Sequence, residues 1–382
     1  MTILAGAGLV ASGLSSHEPG WIEVEGERIV GLGNGTPAGA TVVEDAVLVP
    51  GFVDLQVNGI GSADFAVPDP AVWRSALLAQ SRRGVTGCCP TLVSAPLDSY
   101  AEPLAVAASL VAAGSGARVL GVHLEGPFLG GAPGAHVVEY LRPVDRPWLT
   151  TLLDRFPALI RIVTLAPEAD PRLDGTRALY AAGVVVAIGH TTATYDDARA
   201  AADAGASLVT HVFNGMGPFQ HRRPGVVGAA LDDARLTPSI IADLVHVHPA
   251  ALRIAIRSKR SLALVTDAVA VGAAGAGAGT NGAVTMEERD GAARLADGTL
   301  AGAVVTMDQA VRNVVALGFP LERAVELAST VPCEILGDTE RGRLEPGRRA
   351  DIVALDRDTL AVRAVWIAGR PVPLDQADDL AV

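Results

Sequence analysis

The amino-acid sequence predicts an α/β fold: a TIM-like (β/α)8 barrel with a small β-sandwich domain formed by both termini. Three observations lead to this prediction. Apolar strands alternate with alanine-rich helical stretches through the middle of the chain. Both ends consist instead of short apolar runs broken by turn residues, the pattern of antiparallel strands. Polar side chains recur where the central strands end, which is where barrel enzymes carry their catalytic groups.

Eight β-then-α units account for the middle of the chain. Strands are predicted near residues 48–55, 85–93, 117–125, 160–166, 183–189, 208–213, 238–245 and 262–267. Helices are predicted at 70–83, 195–204 and 249–257, with another near 306–317. We assign 51–337 to the barrel, and both 1–50 and 338–382 to the small domain. The glycine- and alanine-rich stretch 272–282 is either a flexible active-site cover or a surface linker, and a hairpin-like insert follows at 284–300.

Composition narrows the class of partner and the compartment. The 382 residues carry a formal net charge of −12, which argues against non-specific binding to nucleic acid or anionic membranes. The cysteines Cys88, Cys89 and Cys333 lack metal-type spacing, and the adjacent pair is poorly placed for a disulfide, so we expect a reducing cytoplasm. The first 13 residues lack the basic flank and long apolar core of a signal peptide, and no stretch predicts a membrane span.

The third predicted strand ends in a histidine and a carboxylate two residues apart. His123 and Glu125 therefore point to the same side of the strand. A buried carboxylate is costly unless it is paired or binds a metal. Taken alone, the pair is also compatible with a solvated strand end and a structural histidine.

Later strand ends repeat this design with other ligand types. His190 ends the fifth strand, His211 the sixth, His246 the seventh and Asp267 the eighth. One glutamate with two histidines is a ligand set for a divalent metal that keeps a position open for water. Asp267 is then a natural base for that water. The composition and order of the strand ends thus predict a metal-dependent hydrolase.

The same motifs resemble a known family. Residues 50–59, Pro-Gly-Phe-Val-Asp-Leu-Gln-Val-Asn-Gly, resemble the first-strand signature of the amidohydrolase superfamily. Within it, the ordered motifs resemble the N-acetylglucosamine-6-phosphate deacetylases nearly from end to end. The runs that carry this resemblance are His123–Phe128, Gly189–Thr191, Thr210–Asn214, Val265–Ala268, Leu300–Gly302 and Gly342–Asp351.

The resemblance implies a metal site and a catalytic group. Glu125, His190 and His211 are implied to bind the metal, Zn²⁺ or Fe²⁺, and Asp267 to be the catalytic acid/base. Many relatives carry a His-x-His pair for a second metal in the first strand. This chain has Gln56 and Asn58 there, and amide side chains are weak ligands for a transition metal.

Lysine cannot supply the missing ligand. The single lysine, Lys259, stands just before a strand and therefore at the opposite end of the predicted barrel. We expect one divalent metal ion per subunit and no carboxylated or Schiff-base lysine.

The resemblance also implies a sugar-phosphate site. The implied substrate-binding residues are His136, Asn214, Gly215, Arg222, His246, Leu300, Ala301 and Gly302. Among them His136 is implied to be catalytic, because it helps to polarise the acetyl carbonyl. In the family the residue matching Arg222 comes from the neighbouring subunit, which implies a homodimer with shared sites. A solvated turn is the alternative interpretation of the run 221–223.

The activity implied is hydrolysis of the acetamide of N-acetyl-D-glucosamine 6-phosphate to glucosamine 6-phosphate and acetate, in amino-sugar catabolism. The chain departs from the family pattern at residues 130–134, which lack basic side chains, and at Val137 and Leu244. Two alternatives stay open. One is an amidohydrolase acting on a different N-acyl or cyclic amide, possibly unphosphorylated, and the other is a non-catalytic sugar-phosphate sensor, which would not need Asp267.

Overall fold

The structure is a computed structural model that describes residues 2–12, 15–111, 116–271 and 278–374. It begins with five strands: β1 (Thr2–Ser12), β2 (Ser15–His17), β3 (Gly20–Glu25), β4 (Arg28–Asn34) and β5 (Thr41–Pro50). In β3 the side chains of Ile22 and Val24 are buried while Glu23 and Glu25 point to the other side. This period of two is expected of a strand with one face on a core.

The central strands form a parallel barrel and one separate hairpin. They are β6 (Phe52–Val57), β7 (Gly59–Ile60), β8 (Ala63–Asp64), β9 (Val85–Val93), β10 (Arg118–Val119), β11 (Val122–Glu125), β12 (Ile160–Leu165), β13 (Val185–Ile188), β14 (Ala206–Val209), β15 (Thr237–Ile241) and β16 (Ala263–Val265). Around the barrel the order is β6-β9-β11-β12-β13-β14-β15-β16, with β7 and β8 forming a separate hairpin. The predicted (β/α)8 fold class is confirmed.

Helices connect these strands and follow them. They are α1 (Pro70–Arg82), α2 (Ala101–Leu110), α3 (Arg146–Arg155), α4 (Asp174–Ala181), α5 (Tyr195–Asp203), α6 (Gly225–Asp232), α7 (Pro249–Ser258), α8 (Met307–Ala316), α9 (Leu321–Val325) and α10 (Val331–Leu336). The four predicted helices are α1, α5, α7 and α8, with ends shifted by at most one residue. Local capping fixes the starts of two of them: Asp69 accepts the N–H of Ala71 before α1, and Thr194 and Asp197 form a capping box at α5.

None of the helices within the described residues is both long enough and apolar enough to span a bilayer.

Four predicted strands differ from the structure. Those at 208–213 and 238–245 end earlier, as β14 (Ala206–Val209) and β15 (Thr237–Ile241), and two others are interrupted. The run at 48–55 is two strands, because β5 ends at Pro50 in the terminal sheet and β6 begins at Phe52 in the barrel. Between them Gly51 approaches Thr86 so closely that a Cβ would lie 2.2 Å from its Oγ1. The run at 117–125 breaks at Gly121, whose φ of +139° suits glycine, and β10 and β11 then pair separately with β9.

The barrel closes between its first and last strands without a regular ladder. The two meet at an isolated parallel bridge between Val57 and Ala268. Beside it the N–H of Asp267 donates to Gln56 O at 2.9 Å. Polar contacts therefore hold the strand end that carries Asp267 against β6.

The insert after the eighth strand is larger than the predicted hairpin. It forms a four-stranded antiparallel sheet of β17 (Ala278–Asn281), β18 (Val284–Arg289), β19 (Ala292–Arg294) and β20 (Leu300–Ala303). A small core of its own includes Val269, Val271 and Met286. Most of the predicted glycine- and alanine-rich loop, residues 272–277, lies outside the described residues.

Both ends of the chain meet in one sheet. The last strands are β21 (Ile352–Asp356), β22 (Val362–Ile367) and β23 (Arg370–Pro371). The strand order is β23-β22-β21-β5-β1-β3-β4, with β2 paired to β1. A second core joins Leu9 and Leu48 to Leu344 and Ile352, so neither end could bury its apolar face alone. The division into 1–50 with 338–382 and 51–337 stays a prediction.

Candidate active site

A cavity of about 300 Å³ opens at the carboxyl ends of the barrel strands. Of the predicted site residues, those that line it are Glu125, His136, His190, His211, Asn214, Gly215, His246, Asp267, Leu300, Ala301 and Gly302, and Asn58 and Val137 line it as well. The fold brings these residues together because parallel strands around a barrel present all their carboxyl ends at one rim. Arg222 is the one predicted site residue that does not line the cavity.

Glu125, His190 and His211 place three ligand atoms around one point. Glu125 Oε1 lies 3.0 Å from His190 Nε2 and 2.9 Å from His211 Nε2, and the two nitrogens lie 3.1 Å apart. All three side chains are buried. Ligand atoms at about 2.0–2.2 Å from a tetrahedral ion are themselves roughly 3.3–3.6 Å apart, so a small outward shift of these side chains would admit a small divalent cation.

The electrostatics of this cluster favour a bound positive charge. Burial opposes ionisation of Glu125, but hydrogen bonds from His190 and His211 hold its pKa well below the usual value. Burial also opposes protonation of His211, yet Glu125 raises the pKa of that imidazole to about 9. A proton is therefore retained among three donor atoms in the metal-free chain. A divalent cation would take its place, since ligands bind metals in their deprotonated forms.

The ring of His190 is held in the orientation that a ligand needs. Its Nδ1 donates to Ala132 O at 3.1 Å, so Nε2, which faces Glu125, is the nitrogen that can bind a metal once it gives up its proton. Gly215 packs against the same ring, and a Cβ there would lie 2.7 Å from His190 Nδ1. Its φ of +58° also suits glycine. Gly215, which was predicted to bind substrate, therefore also leaves room for the His190 ring.

His136 is a second candidate for this cluster. Ligand atoms of Glu125, His136 and His190 all lie within 4.8 Å of one another. However, Nδ1 of His136 accepts the N–H of Ser94 at 3.4 Å, and burial, with the neighbouring His190, lowers its pKa to about 3. The neutral ring then carries its proton on Nε2, which makes that atom a donor and not a ligand. This geometry favours the predicted contact with a carbonyl oxygen.

Asp267 lies beside the cluster in the state expected of a general base. Burial and the charge of Glu125 raise its pKa to about 6. The amide nitrogens of Gln56 and Asn58 donate to its Oδ1 at 3.2 and 2.9 Å. Gln56 also donates to Glu125 Oε1 at 3.0 Å. Both amides thus turn nitrogen, not oxygen, toward the carboxylates.

Comparison with known proteins identifies the family. The family model described as Amidohydrolase family matches residues 47–372. This chain belongs to the amidohydrolase family. The resemblance of its sequence motifs to that family is confirmed.

Two curated relatives extend the comparison. An N-acetylglucosamine-6-phosphate deacetylase of Bos taurus is 41% identical over 342 residues, covering 85% of this chain and 83% of the bovine protein. An N-acetylgalactosamine-6-phosphate deacetylase of Escherichia coli O157:H7 is 37% identical over 362 residues, covering 92% and 96%.

The fold is also similar to that of a solved structure. A mutant N-acetyl-D-glucosamine-6-phosphate deacetylase of Mycobacterium smegmatis, in complex with N-acetyl-D-glucosamine-6-phosphate, has a TM-score of 0.90 and 36% identity. The alignment covers 97% of this chain and 99% of that one.

The backbone of this amidohydrolase is strained at the centre of the site. His190, His211 and Asp267 have φ values of +48°, +29° and +48°. Such conformations cost roughly 1–3 kcal/mol each in non-glycine residues and persist where the surrounding structure imposes them. Their concentration at three strand ends is typical of a functional site.

His246 is oriented by a residue that the sequence analysis did not single out. Asp243 Oδ2 lies 2.6 Å from His246 Nδ1, and its Oδ1 accepts the N–H groups of Val245 and His246. Burial opposes its ionisation, but the contact with His246 keeps the pKa of Asp243 below its usual value. Nε2 of His246 is thereby directed away from Asp243. The spacing of three residues before a strand-end histidine was the available signal.

The far wall of the cavity comes from the insert. Asn281, Val284 and Met286 line it together with the predicted residues of β20. Sequence reasoning missed them, because only the folded insert shows which of its faces meets the barrel.

Neither lysine nor arginine lines the cavity within the part of the chain that is described. Arg222 is exposed on the segment after β14. Lys259 directly follows α7 as its C-cap, where its amine donates to Asp233 O, as expected of a residue outside the site.

Proposed function

We propose that this chain hydrolyses the acetamide of N-acetyl-D-glucosamine 6-phosphate to glucosamine 6-phosphate and acetate, in amino-sugar catabolism. The observation that carries the proposal is the convergence of Glu125, His190 and His211 beside Asp267 and His136 in one cavity. Relatives at 41% identity bear the name of that activity, and the Mycobacterium smegmatis structure holds that sugar phosphate. The cytoplasm is the compartment that suits a phosphorylated substrate and free cysteines.

The cofactor we propose is one divalent cation per subunit, Zn²⁺ or Fe²⁺, held by Glu125, His190 and His211. When bound, such an ion supplies a Lewis acid that lowers the pKa of water and withdraws charge from a polarised carbonyl. The donor set supports this proposal because two imidazoles and one carboxylate suit either metal.

The chain's own residues provide the proton chemistry. Asp267 accepts a proton as the water oxygen bonds to the acetyl carbon. His136 donates a hydrogen bond from Nε2 to the carbonyl oxygen as that oxygen gains negative charge. Asp267 then returns the proton to the sugar nitrogen, so that the C–N bond breaks to an amine and a carboxylic acid.

The sugar phosphate is proposed to contact Asn214, Gly215, His246 and the residues of β20, Leu300, Ala301 and Gly302. Arg222 is proposed to reach the phosphate from the neighbouring subunit of a homodimer. Two observations support this. Arg222 is exposed and outside its own cavity, and none of the described residues brings a cationic side chain other than histidine into that cavity.

A second candidate is the galactosamine epimer of the same substrate. The Escherichia coli O157:H7 relative, which this chain covers to 96% of its length, is named an N-acetylgalactosamine-6-phosphate deacetylase. A further alternative, an amidohydrolase acting on a different N-acyl or cyclic amide, follows from the absence of an arginine or lysine in the described cavity wall.

Acetate release distinguishes these candidates. Purified metal-loaded protein would be assayed with N-acetylglucosamine and N-acetylgalactosamine, each with and without the 6-phosphate. The proposal expects the highest kcat/KM for the phosphorylated glucosamine derivative. A preference for the galacto epimer would select the second candidate, and no release from any of the four sugars would reject both.

A further inference from the structure

The first barrel strand carries three buried polar side chains for which the proposed mechanism has no role. Asp54 and Gln56 lie at alternate positions in β6 and so share one face, and Asn58 continues the alternation one residue beyond the strand. They are among the most deeply buried polar groups of the barrel. Polar groups are costly to place in a core, so each needs a contact that accounts for it.

Gln56 and Asn58 direct their amide nitrogens at the same carboxylate oxygen. Both donate to Asp267 Oδ1, at 3.2 and 2.9 Å. An ionised carboxylate can only accept, so the nitrogens and not the oxygens of the two amides must face it. With two donors on Oδ1, Oδ2 is the oxygen left to exchange a proton.

This orientation leaves both amide oxygens without a partner. Gln56 Oε1 and Asn58 Oδ1 are buried and form no hydrogen bond with any of the described residues. Native proteins rarely keep two adjacent unsatisfied acceptors, and they do so mainly at functional sites. Apolar residues of similar shape would pack this position at lower cost, so packing does not explain the pair.

The backbone before Asp267 is held by the same strand. Thr266 Oγ1 donates to Asp54 Oδ2 at 2.6 Å, and the N–H of Asp267 donates to Gln56 O at 2.9 Å. These contacts lie where the barrel closes without a regular ladder. β6 therefore fixes both the backbone and the side chain of Asp267.

We propose that Gln56 and Asn58 are positioning residues for Asp267, fixing its carboxylate by two hydrogen bonds to Oδ1 so that Oδ2 exchanges the proton. The Asp54–Thr266 contact holds the backbone on which this geometry depends. The inference rests on the proposed function, since it takes Asp267 as the proton acceptor. In this chain the first strand therefore positions the catalytic base and does not supply ligands to a second metal.

The first test removes each donor while keeping its shape. Asn58→Leu and Gln56→Met should lower kcat about 10–100-fold, the usual effect of losing a group that orients an active-site residue. KM should change by no more than about twofold, because the lost contacts act on the transition state. Metal content, measured by elemental analysis, should equal that of wild type. Gln80→Met is the matched control, since Gln80 is also 1% exposed but lies on α1 away from the cavity.

A double-mutant cycle separates positioning from a general effect on the fold. In an Asp267→Asn background the group to be positioned is gone, so adding Asn58→Leu should reduce kcat by no more than about twofold. A further loss as large as in wild type would overturn the inference. So would metal loss in either single variant, since the amides would then support the ligand cluster.

Two further results keep the test decisive. If Asn58→Leu does not fold, Asn58→Ser removes the amide without adding apolar bulk and should show the same loss of kcat. An active wild type with fully active Asn58 and Gln56 variants would refute the positioning role and leave the proposed function intact. A wild type without deacetylase activity would reject the function, and the inference with it.

Discussion

The two halves of the cavity differ in how completely one chain builds them. In the half near Glu125 and Asp267, the ligand atoms lie about 3 Å apart, the side chains are buried and Asp267 accepts two hydrogen bonds. In the half that would receive the sugar phosphate, His246 is oriented by Asp243, but no arginine or lysine lines the described wall. Arg222 stands exposed outside it.

This difference shows which requirements a single fold can meet. Metal ligation and proton transfer need atoms placed within fractions of an ångström, which neighbouring strand ends of one barrel can provide. Binding a dianion needs positive charge near the cavity mouth, and a residue on a long exposed segment can supply it from another subunit. The chemical half should therefore be sensitive to small changes within the chain, and the recognition half to changes in assembly.

The largest effect is expected from Glu125→Gln, which removes the one carboxylate of the proposed ligand set. Metal content should fall well below one ion per chain, and activity by more than about 10³-fold, because ligand and Lewis acid are lost together. Elemental analysis and acetate release measure both. Full metal content in this variant, or two tightly bound ions in wild type, would contradict the single-metal site.

The next largest effect is expected from Asp267→Asn. Turnover should fall about 10²–10⁴-fold, because the proton acceptor is lost while the shape of the side chain is kept. Metal content should stay near wild type, unlike in Glu125→Gln. The comparison of the two variants separates ligand from base. If the Asp267→Asn protein loses its metal, Asp267 is chiefly a ligand and its role has been misassigned.

Arg222→Ala tests the recognition half. KM for the 6-phosphate sugar should rise about tenfold or more, and much less for the unphosphorylated sugar, because paired charge-assisted hydrogen bonds to phosphate are lost. Arg223→Ala, one residue away, is the matched control. Equal losses on both sugars would remove Arg222 from phosphate recognition.

Subunit exchange shows whether this arginine acts across an interface. A heterodimer of Arg222→Ala and Asp267→Asn chains would contain one site with both defects and one with neither. Mixing the two impaired proteins should therefore restore part of the activity. No recovery after demonstrated exchange would mean that each chain completes its own site.

The pH dependence of kcat/KM tests the role of Asp267 without a substitution. Asp267 must be ionised to accept a proton, and its pKa is raised to about 6 in the metal-free chain, chiefly by burial. A bound cation nearby lowers that pKa, so kcat/KM should fall about tenfold per pH unit below an acid limb at or under pH 6. A limb above pH 7 would point to a different base.

The smallest effect concerns the stability of the metal-free protein. The folded pKa of Asp267 lies above its unfolded value of 3.8, so the folded state binds the extra proton and stability falls as pH rises from about 4 to about 6. Asp267→Asn removes this cost and should be more stable than wild type at pH 7, with the difference vanishing near pH 4. Thermal unfolding at both pH values measures it. Lower stability of the variant at pH 7 would contradict the raised pKa.

The residues of the chemical half could be grouped from the sequence because strand ends are local features whose place in a barrel is fixed; their roles stay predictions. Alternation of strands and helices indicated a barrel, and a barrel gathers its strand ends at one rim, so the sequence pattern was enough to group His190, His211 and Asp267. The bounds of the strand at 48–55 failed because one apolar run crosses from one sheet to another at Gly51, and both sheets bury it.

The order of the elements, the ligand types at their ends and the family all follow from the amino-acid sequence. Three features are visible only in the folded chain. Gln56 and Asn58 turn their nitrogens to Asp267, Asp243 orients His246, and the insert forms one wall of the cavity. They depend on side-chain directions between segments that packing brings together. Local propensity and periodicity fix where a strand ends, but the direction of a hydrogen bond is fixed by the partner that packing places beside it.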